Sequence, residues 1–228
     1  MSSSVRVLST LALKGAVARL AEAYLAASGV RIDADFAPTL ALLERLRGSE
    51  AADLVILTRE GLAEMIGEGR VARDSAVDLA RSYVGVAVKA GAVHPDIATE
   101  VALCSALLGA RAVAYSRLGA SGILFAQLIA RLGIAEAINA RAVIIPMGFT
   151  AERLVTGEAD LAIQQISELK QVDGIEVVGP IPLGLQTPAV FSAGRMTTSE
   201  RTEAADHLLR YLSSADVAPV LRETGLEP

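Results

Sequence analysis

The chain has 228 residues, 52% of them hydrophobic and 21% charged, enough apolar material for a large core in one or two domains. Its net charge is −5 with the basic residues dispersed, which leaves no electrostatic footprint for a nucleic-acid backbone. Cys104 has no cysteine to pair with, and His94 and His207 are too few to build a zinc site with it, so neither a metal nor a cofactor is expected.

The opening "MSSSVRVLST" lacks a cationic start and an apolar stretch of signal-peptide length, and no later run reaches the length of a membrane span. No membrane insertion is expected. A cytoplasmic location and an export signal that was removed or lies upstream both stay open.

"VRVLS" (5–9) is a short β-rich run, after which Leu13, Val17, Leu20 and Tyr24 recur at helical spacing until Gly29. The cycle repeats through "VRIDADF" (30–36) and a helix from Thr39 carrying Leu40, Leu43 and Leu46. "DLVIL" (53–57) then precedes a helix with Leu62, Met65 and Ile66. Three βα units in succession predict a parallel, doubly wound sheet.

A second series starts at "YVGVAVKAG" (83–91). It continues with a helix over 97–109, the strand "RAVAYS" (111–116), a helix within "YSRLGASGILFAQLIARLG" (115–133) and the strand "ARAVIIP" (140–146). A helix over 150–157 precedes the strand-like "DLAIQQIS" (160–167), "IEVVGPIP" (175–182) and "TPAVFSAG" (187–194). An amphipathic helix with Ala205, Leu208, Leu209 and Leu212, and a shorter one through Val217, Val220 and Leu221, close the chain. In its apolar run Cys104 reads as a small buried hydrophobe.

The expected fold class is α/β, as two doubly wound lobes joined by two crossover strands. Residues 1–84 and 191–228 form lobe 1, and 85–190 form lobe 2. Ligands of open α/β sheets bind beyond the carboxyl ends of the strands, here the turns at 9–12, 37–39 and 117–122 in a cleft between the lobes. The small residues Gly119, Ala120, Ser121 and Gly122 stand where a helix begins and backbone N–H groups favour an anion.

The succession "VLSTLALKGAVARLAEAY", "DFAPTLALLERL", "ADLVILT", "YSRLGASGILFAQLIARLGI", "GEADLAIQQISEL", "GIEVVGPIP" and "LSSADVAPVLRETGLEP" covers nearly the whole chain. It resembles the type 2 periplasmic solute-binding proteins of the molybdate-binding group, with a branch that includes aconitate isomerases. The resemblance implies two lobes that close on a small anion, a periplasmic location and an ABC-transporter permease as partner. It also implies departures from a molybdate site: Ala12 stands where a liganding serine is usual, and Gln165 replaces a tyrosine.

The candidate ligand-binding set is Ser9, Thr10, Leu11, Thr39, Arg117, Ser121, Gly122, Met147, Gly148 and Gln165. Thr39 and Ser121 have an ordinary alternative as helix N-caps, Gly119 and Gly122 as turn residues, and Arg117 as a cation extended into water. Convergence of three turns with hydroxyls and N–H donors favours a site. Of Gln164 and Gln165, which alternate across a strand, the resemblance selects Gln165.

Capture of a small anion is the favoured function, with an organic carboxylate preferred over molybdate because a glutamine amide both donates and accepts. The alternative is an aconitate-isomerase-like enzyme, for which the sequence nominates no base; Glu168 and Lys14 are the conceivable ones. The effector lobe of a transcription regulator is disfavoured, since no helix-turn-helix precedes it.

Overall fold

A computed structural model of the protein describes residues 4–228. The chain divides into two α/β units. One runs to Ser82 and resumes at Ala189–Pro228; the other is Tyr83–Pro188.

Unit 1 begins β1 (Ser4–Thr10), α1 (Lys14–Ser28), β2 (Arg31–Ala37), α2 (Thr39–Arg47), β3 (Leu54–Thr58) and α3 (Arg59–Gly67), as the hydrophobic periodicity predicts. It then adds β4 (Val77–Ser82). Unit 2 follows with β5 (Val84–Lys89), α4 (Glu100–Gly109), β6 (Val113–Ser116), α5 (Ala120–Arg131), α6 (Ala135–Asn139) and β7 (Val143–Ile145). It continues through α7 (Glu152–Val155), β8 (Leu161–Gln165), α8 (Ile166–Leu169) and β9 (Ile175–Pro180). The chain returns to unit 1 with β10 (Ala189–Arg195), α9 (Thr202–Leu212) and α10 (Ala218–Glu223).

The two sheets share one plan. In unit 1 the order is β2-β1-β3-β10-β4, in unit 2 β7-β6-β8-β5-β9. β1 runs parallel to β2 and β3, and β6 parallel to β7 and β8. β10 and β5, which follow the two passages between units, pair antiparallel with both their neighbours. The sheets are therefore mixed, with the expected parallel order confined to three strands of each.

Each sheet has a core on both faces, because alternate side chains of a strand point to opposite sides. Leu54 and Ile56 of β3 join Tyr24, Leu208 and Leu212, while Val55 and Leu57 join Leu42, Leu46 and Met65. In unit 2, Val86 and Val88 pack with Tyr115, Phe125 and Ile129. The other face is alanine-rich: Ala87, Ala112, Ala114 and Ala162 leave room for Leu154 of α7 and Leu169 of α8.

Local chemistry sets the helix ends. The Thr58 and Thr99 hydroxyls accept from Gly61 N and Ala102 N at 3.2 and 3.1 Å, capping α3 and α4. Gly29 ends α1 in the left-handed conformation at φ 69°.

Several expectations are corrected. β4 escapes the sequence reading because "VDLARS" carries only two large apolar residues in alternation. Strand 160–167 ends at Gln165 and turns at once into α8, and the helix expected over 150–157 is a single turn. Leu40 is 40% exposed; Leu42 takes its place in the core. Cys104 is half-buried rather than fully buried, its helix α4 sending Leu103 and Leu107 inward instead.

Candidate functional site

At the carboxyl edge of the unit 1 sheet, Ser9 and Thr10 end β1, and Thr10 lies level with Ala37 of β2, two residues before Thr39. The structure thus brings Ser9, Thr10, Leu11 and Thr39 to one edge. Ser9 is fully buried and its hydroxyl donates to the Thr10 carbonyl at 3.1 Å. Thr10 is 3% exposed and its Oγ1 has no hydrogen-bond partner among the described residues, although a buried hydroxyl ordinarily finds one. Thr10 is the N-cap residue of a single 3-10 turn over Leu11–Leu13, without a side-chain cap hydrogen bond, and that turn leads into α1.

Thr39 is the first helical residue of α2, whose N-cap is Pro38, and Ser121 is the second of α5, whose N-cap is Gly119. Neither is the cap that would explain its hydroxyl. At the α5 start the loop is held by Ser116, whose Oγ accepts from Leu118 N and Gly119 N at 3.3 and 3.4 Å. Arg117 is exposed in this loop and forms no ion pair among the described residues. Gly122 has a reason of its own: a Cβ there would stand 1.3 Å from the Ser116 carbonyl oxygen. Close packing of α5 on the end of β6 requires this glycine.

Met147 and Gly148 follow β7, Met147 61% exposed and Gly148 at φ 90°. Gln165 ends β8, so the unit 2 candidates also share one carboxyl edge. Both glutamines are buried. Gln164 Oε1 accepts from Thr150 N at 2.8 Å and Thr150 Oγ1 at 3.1 Å, and its Nε2 donates to the Gly148 carbonyl at 3.0 Å. Gln165 and Glu168 form a reciprocal capping box on α8, in which Glu168 Oε2 accepts from Gln165 N at 3.3 Å.

Glu168 is 8% exposed, and burial pushes its carboxyl up to about 8, against the weaker opposing effects of hydrogen bonds from Gln165 N and the Gln164 side chain. The other conceivable base, Lys14, is exposed at the start of α1. Sequence reasoning passed over Ser116, Gln164 and Thr150. The two adjacent glutamines were visible, but nothing local says that Gln164 is bound to a loop fourteen residues earlier. No group of three His, Cys, Asp or Glu among the described residues is placed to hold a metal.

With two sheet edges of this kind in place, the comparisons with known proteins are decisive. The family model described as "Bacterial extracellular solute-binding protein" matches residues 5–227. The chain belongs to this family. This solute-binding family member is 37% identical over 232 aligned positions to a curated protein named aconitate isomerase from a Pseudomonas species, covering 99% of the chain and 88% of the relative. In fold it is similar to the periplasmic molybdate-binding protein of Azotobacter vinelandii, with TM-score 0.83, 15% identity and coverage of 98% and 99%. It is also similar to a sulfate-binding protein of Mycobacterium tuberculosis, with TM-score 0.80, 17% identity and coverage of 99% and 87%. At these identities the two structures establish the architecture and no more. No helix of this family member is long and apolar enough, among the described residues, to cross a membrane.

The unpartnered Thr10 hydroxyl gives a direct test. Replacing it by the near-isosteric Val removes an unsatisfied buried group, and the unliganded solute-binding protein is expected to gain about 1 kcal/mol. That corresponds to a rise in Tm of about 2–4 °C for a chain of this size. A fall in Tm on Thr10→Val in a ligand-free thermal melt contradicts this account.

Proposed function

We propose that the protein binds a small tricarboxylate of the aconitate type and shifts its double bond. The observation that carries this reading is the 37% identity to the aconitate isomerase over 99% of the chain, which leaves neither unit unmatched. The proposed ligand donors are Ser9, Thr10, Leu11 and Thr39 in unit 1, and Arg117, Ser121, Gly122, Met147, Gly148 and Gln165 in unit 2. Hydroxyls, helix-start N–H groups and the Arg117 guanidinium suit carboxylates, the guanidinium by a bidentate contact. By the family resemblance, Ala12 and Gln165 stand where hydroxyls would hold a compact tetrahedral oxyanion, so molybdate binding is expected to be weak or absent.

A second reading, supported by the family's description, is capture without chemistry. The protein then serves an ATP-driven importer and a permease is its partner, which places it outside the cytoplasm. The two readings separate in one experiment. Purified protein is incubated with cis-aconitate and with trans-aconitate, and the products are resolved by chromatography. Formation of the other isomer supports the enzyme; a thermal shift without product supports capture.

Ligand class is tested in the same preparation. A ligand at a hundred times its Kd stabilises the native state by about 2.7 kcal/mol. The expected rise in Tm with aconitate is therefore about 5–10 °C. A clear shift with molybdate or tungstate, and none across a panel of carboxylates, refutes the tricarboxylate assignment.

A further inference from the structure

We propose that Glu168 is the acid–base residue of the isomerisation: it takes a proton from the methylene carbon beside one substrate carboxylate and returns it to the far carbon of the allylic system. This rests on the isomerase reading above. The chemistry balances without a co-reactant. Removing the proton lets the C–H electron pair form a double bond to the central carbon, the original double bond opens, and its far carbon receives the proton. One proton leaves and one arrives, and nothing is oxidised or reduced. The conformation about the bond that becomes double decides which geometric isomer results.

Four observations favour Glu168. It lies in the first turn after β8, at the carboxyl edge of the unit 2 sheet, three residues beyond the candidate ligand residue Gln165. It is buried without a cationic partner among the described residues, a costly environment for a carboxylate, and such carboxyls concentrate where protons are exchanged. Its capping role does not need an acid, because glutamine serves equally at that position of a capping box. What the carboxyl adds is a proton that can leave near neutral pH.

The fourth observation is the fixed orientation of Gln164. Its carbonyl oxygen is held by the Thr150 N–H and hydroxyl, so its amide N–H group is the part offered to Gly148 O and to Glu168. A donor locked in this direction favours the ionised form of Glu168, the one that accepts a proton from carbon. The ties also join Glu168 to the segment bearing Met147 and Gly148.

The elements packed most closely against α8 are β5, β8 and β9. Their charged groups are Lys89 and Glu176, which lie at the opposite end of β5 from Val84, the residue level with Gln165. Tyr83, whose carbonyl accepts from Ile166 N at 2.9 Å, and Lys170, which directly follows α8, are further titratable residues nearby. None of the four is a cause of the Glu168 shift, which follows from burial.

The test uses the full chain and cis-aconitate. Glu168→Gln is expected to lower kcat by about 100-fold or more. It is expected to keep cis-aconitate affinity, measured by calorimetry, within a few-fold of wild type. Wild-type kcat/KM is expected to rise with pH and level off near the Glu168 value of about 8. A Glu168→Gln protein that turns over within tenfold of wild type, or that loses affinity together with turnover, overturns the proposal. So does a wild-type profile that is flat between pH 7 and 9, whatever the variant does. Absence of wild-type turnover sinks the isomerase reading and this inference with it; wild-type turnover undiminished in the variant sinks this inference alone.

Discussion

Gly122→Ala is expected to destabilise the protein by about 3 kcal/mol or more, at the upper end of what overpacking costs. For a chain of this size that is a fall in Tm of about 6–12 °C. The added Cβ would lie 1.3 Å from the Ser116 carbonyl oxygen and 2.3 Å from its carbon. Both are backbone atoms at the end of β6, so no rotamer change relieves the clash. Either α5 moves off the sheet, with Phe125 and Ile129 leaving the core, or β6 gives way. Gly119→Ser is the control. A Cβ at 119 meets only the Ser116 and Ser121 hydroxyl oxygens, at 3.7 and 4.0 Å, and serine is a favoured N-cap. Its stability should stay within about 0.5 kcal/mol of wild type. Urea denaturation of the two variants decides the matter: a Gly122→Ala protein as stable as wild type removes the packing explanation for this glycine.

The same residue shows where sequence reasoning stopped. "GASG" before an apolar helix correctly marks a helix start, and glycine there is consistent with anion binding, with a tight turn and with close packing. Choosing among them needs the position of the Ser116 carbonyl, which belongs to another element. The βα order was legible because Val5, Val7, Leu20 and Leu208 are buried at strand and helix periods. β4 was not, because "VDLARS" owes its place to pairing with β10, more than a hundred residues later. At the candidate site, the hydroxyls of Thr10, Thr39 and Ser121 were visible as residue types. That Thr10 lacks a partner, that neither Thr39 nor Ser121 is a cap, and that Gln164 is committed to Thr150 are tertiary facts.

Glu168 leads to the largest expected dependence of stability on pH. Its carboxyl titrates at about 8 in the native protein and near the usual 4.5 in the unfolded chain. Between those limits the native state holds the extra proton, so stability falls as pH rises. The group's contribution is intact below pH 4.5, declines through neutrality and is fully lost above about 8. The gap corresponds to at most about 5 kcal/mol, of which about 3 kcal/mol has gone by pH 7. Asp35, Glu50 and Asp78 act in the opposite sense. Hydrogen bonds from Arg45 to the first two, and from Arg59 to Asp78, hold these carboxyls below their usual range. Their contributions are lost only as the solution turns more acid than the usual carboxylate range, on the other side of the pH range in which Glu168 acts. Glu168→Gln keeps a capping acceptor for Gln165 N and has nothing to ionise. Wild type and variant should therefore be similarly stable at pH 5 and diverge as pH rises, the variant becoming the more stable by pH 9. At about 2–4 °C per kcal/mol the divergence is easily read in thermal melts. Two Tm profiles that run parallel from pH 5 to 9 would show that the Glu168 carboxyl titrates in its ordinary range, and burial would no longer account for its chemistry.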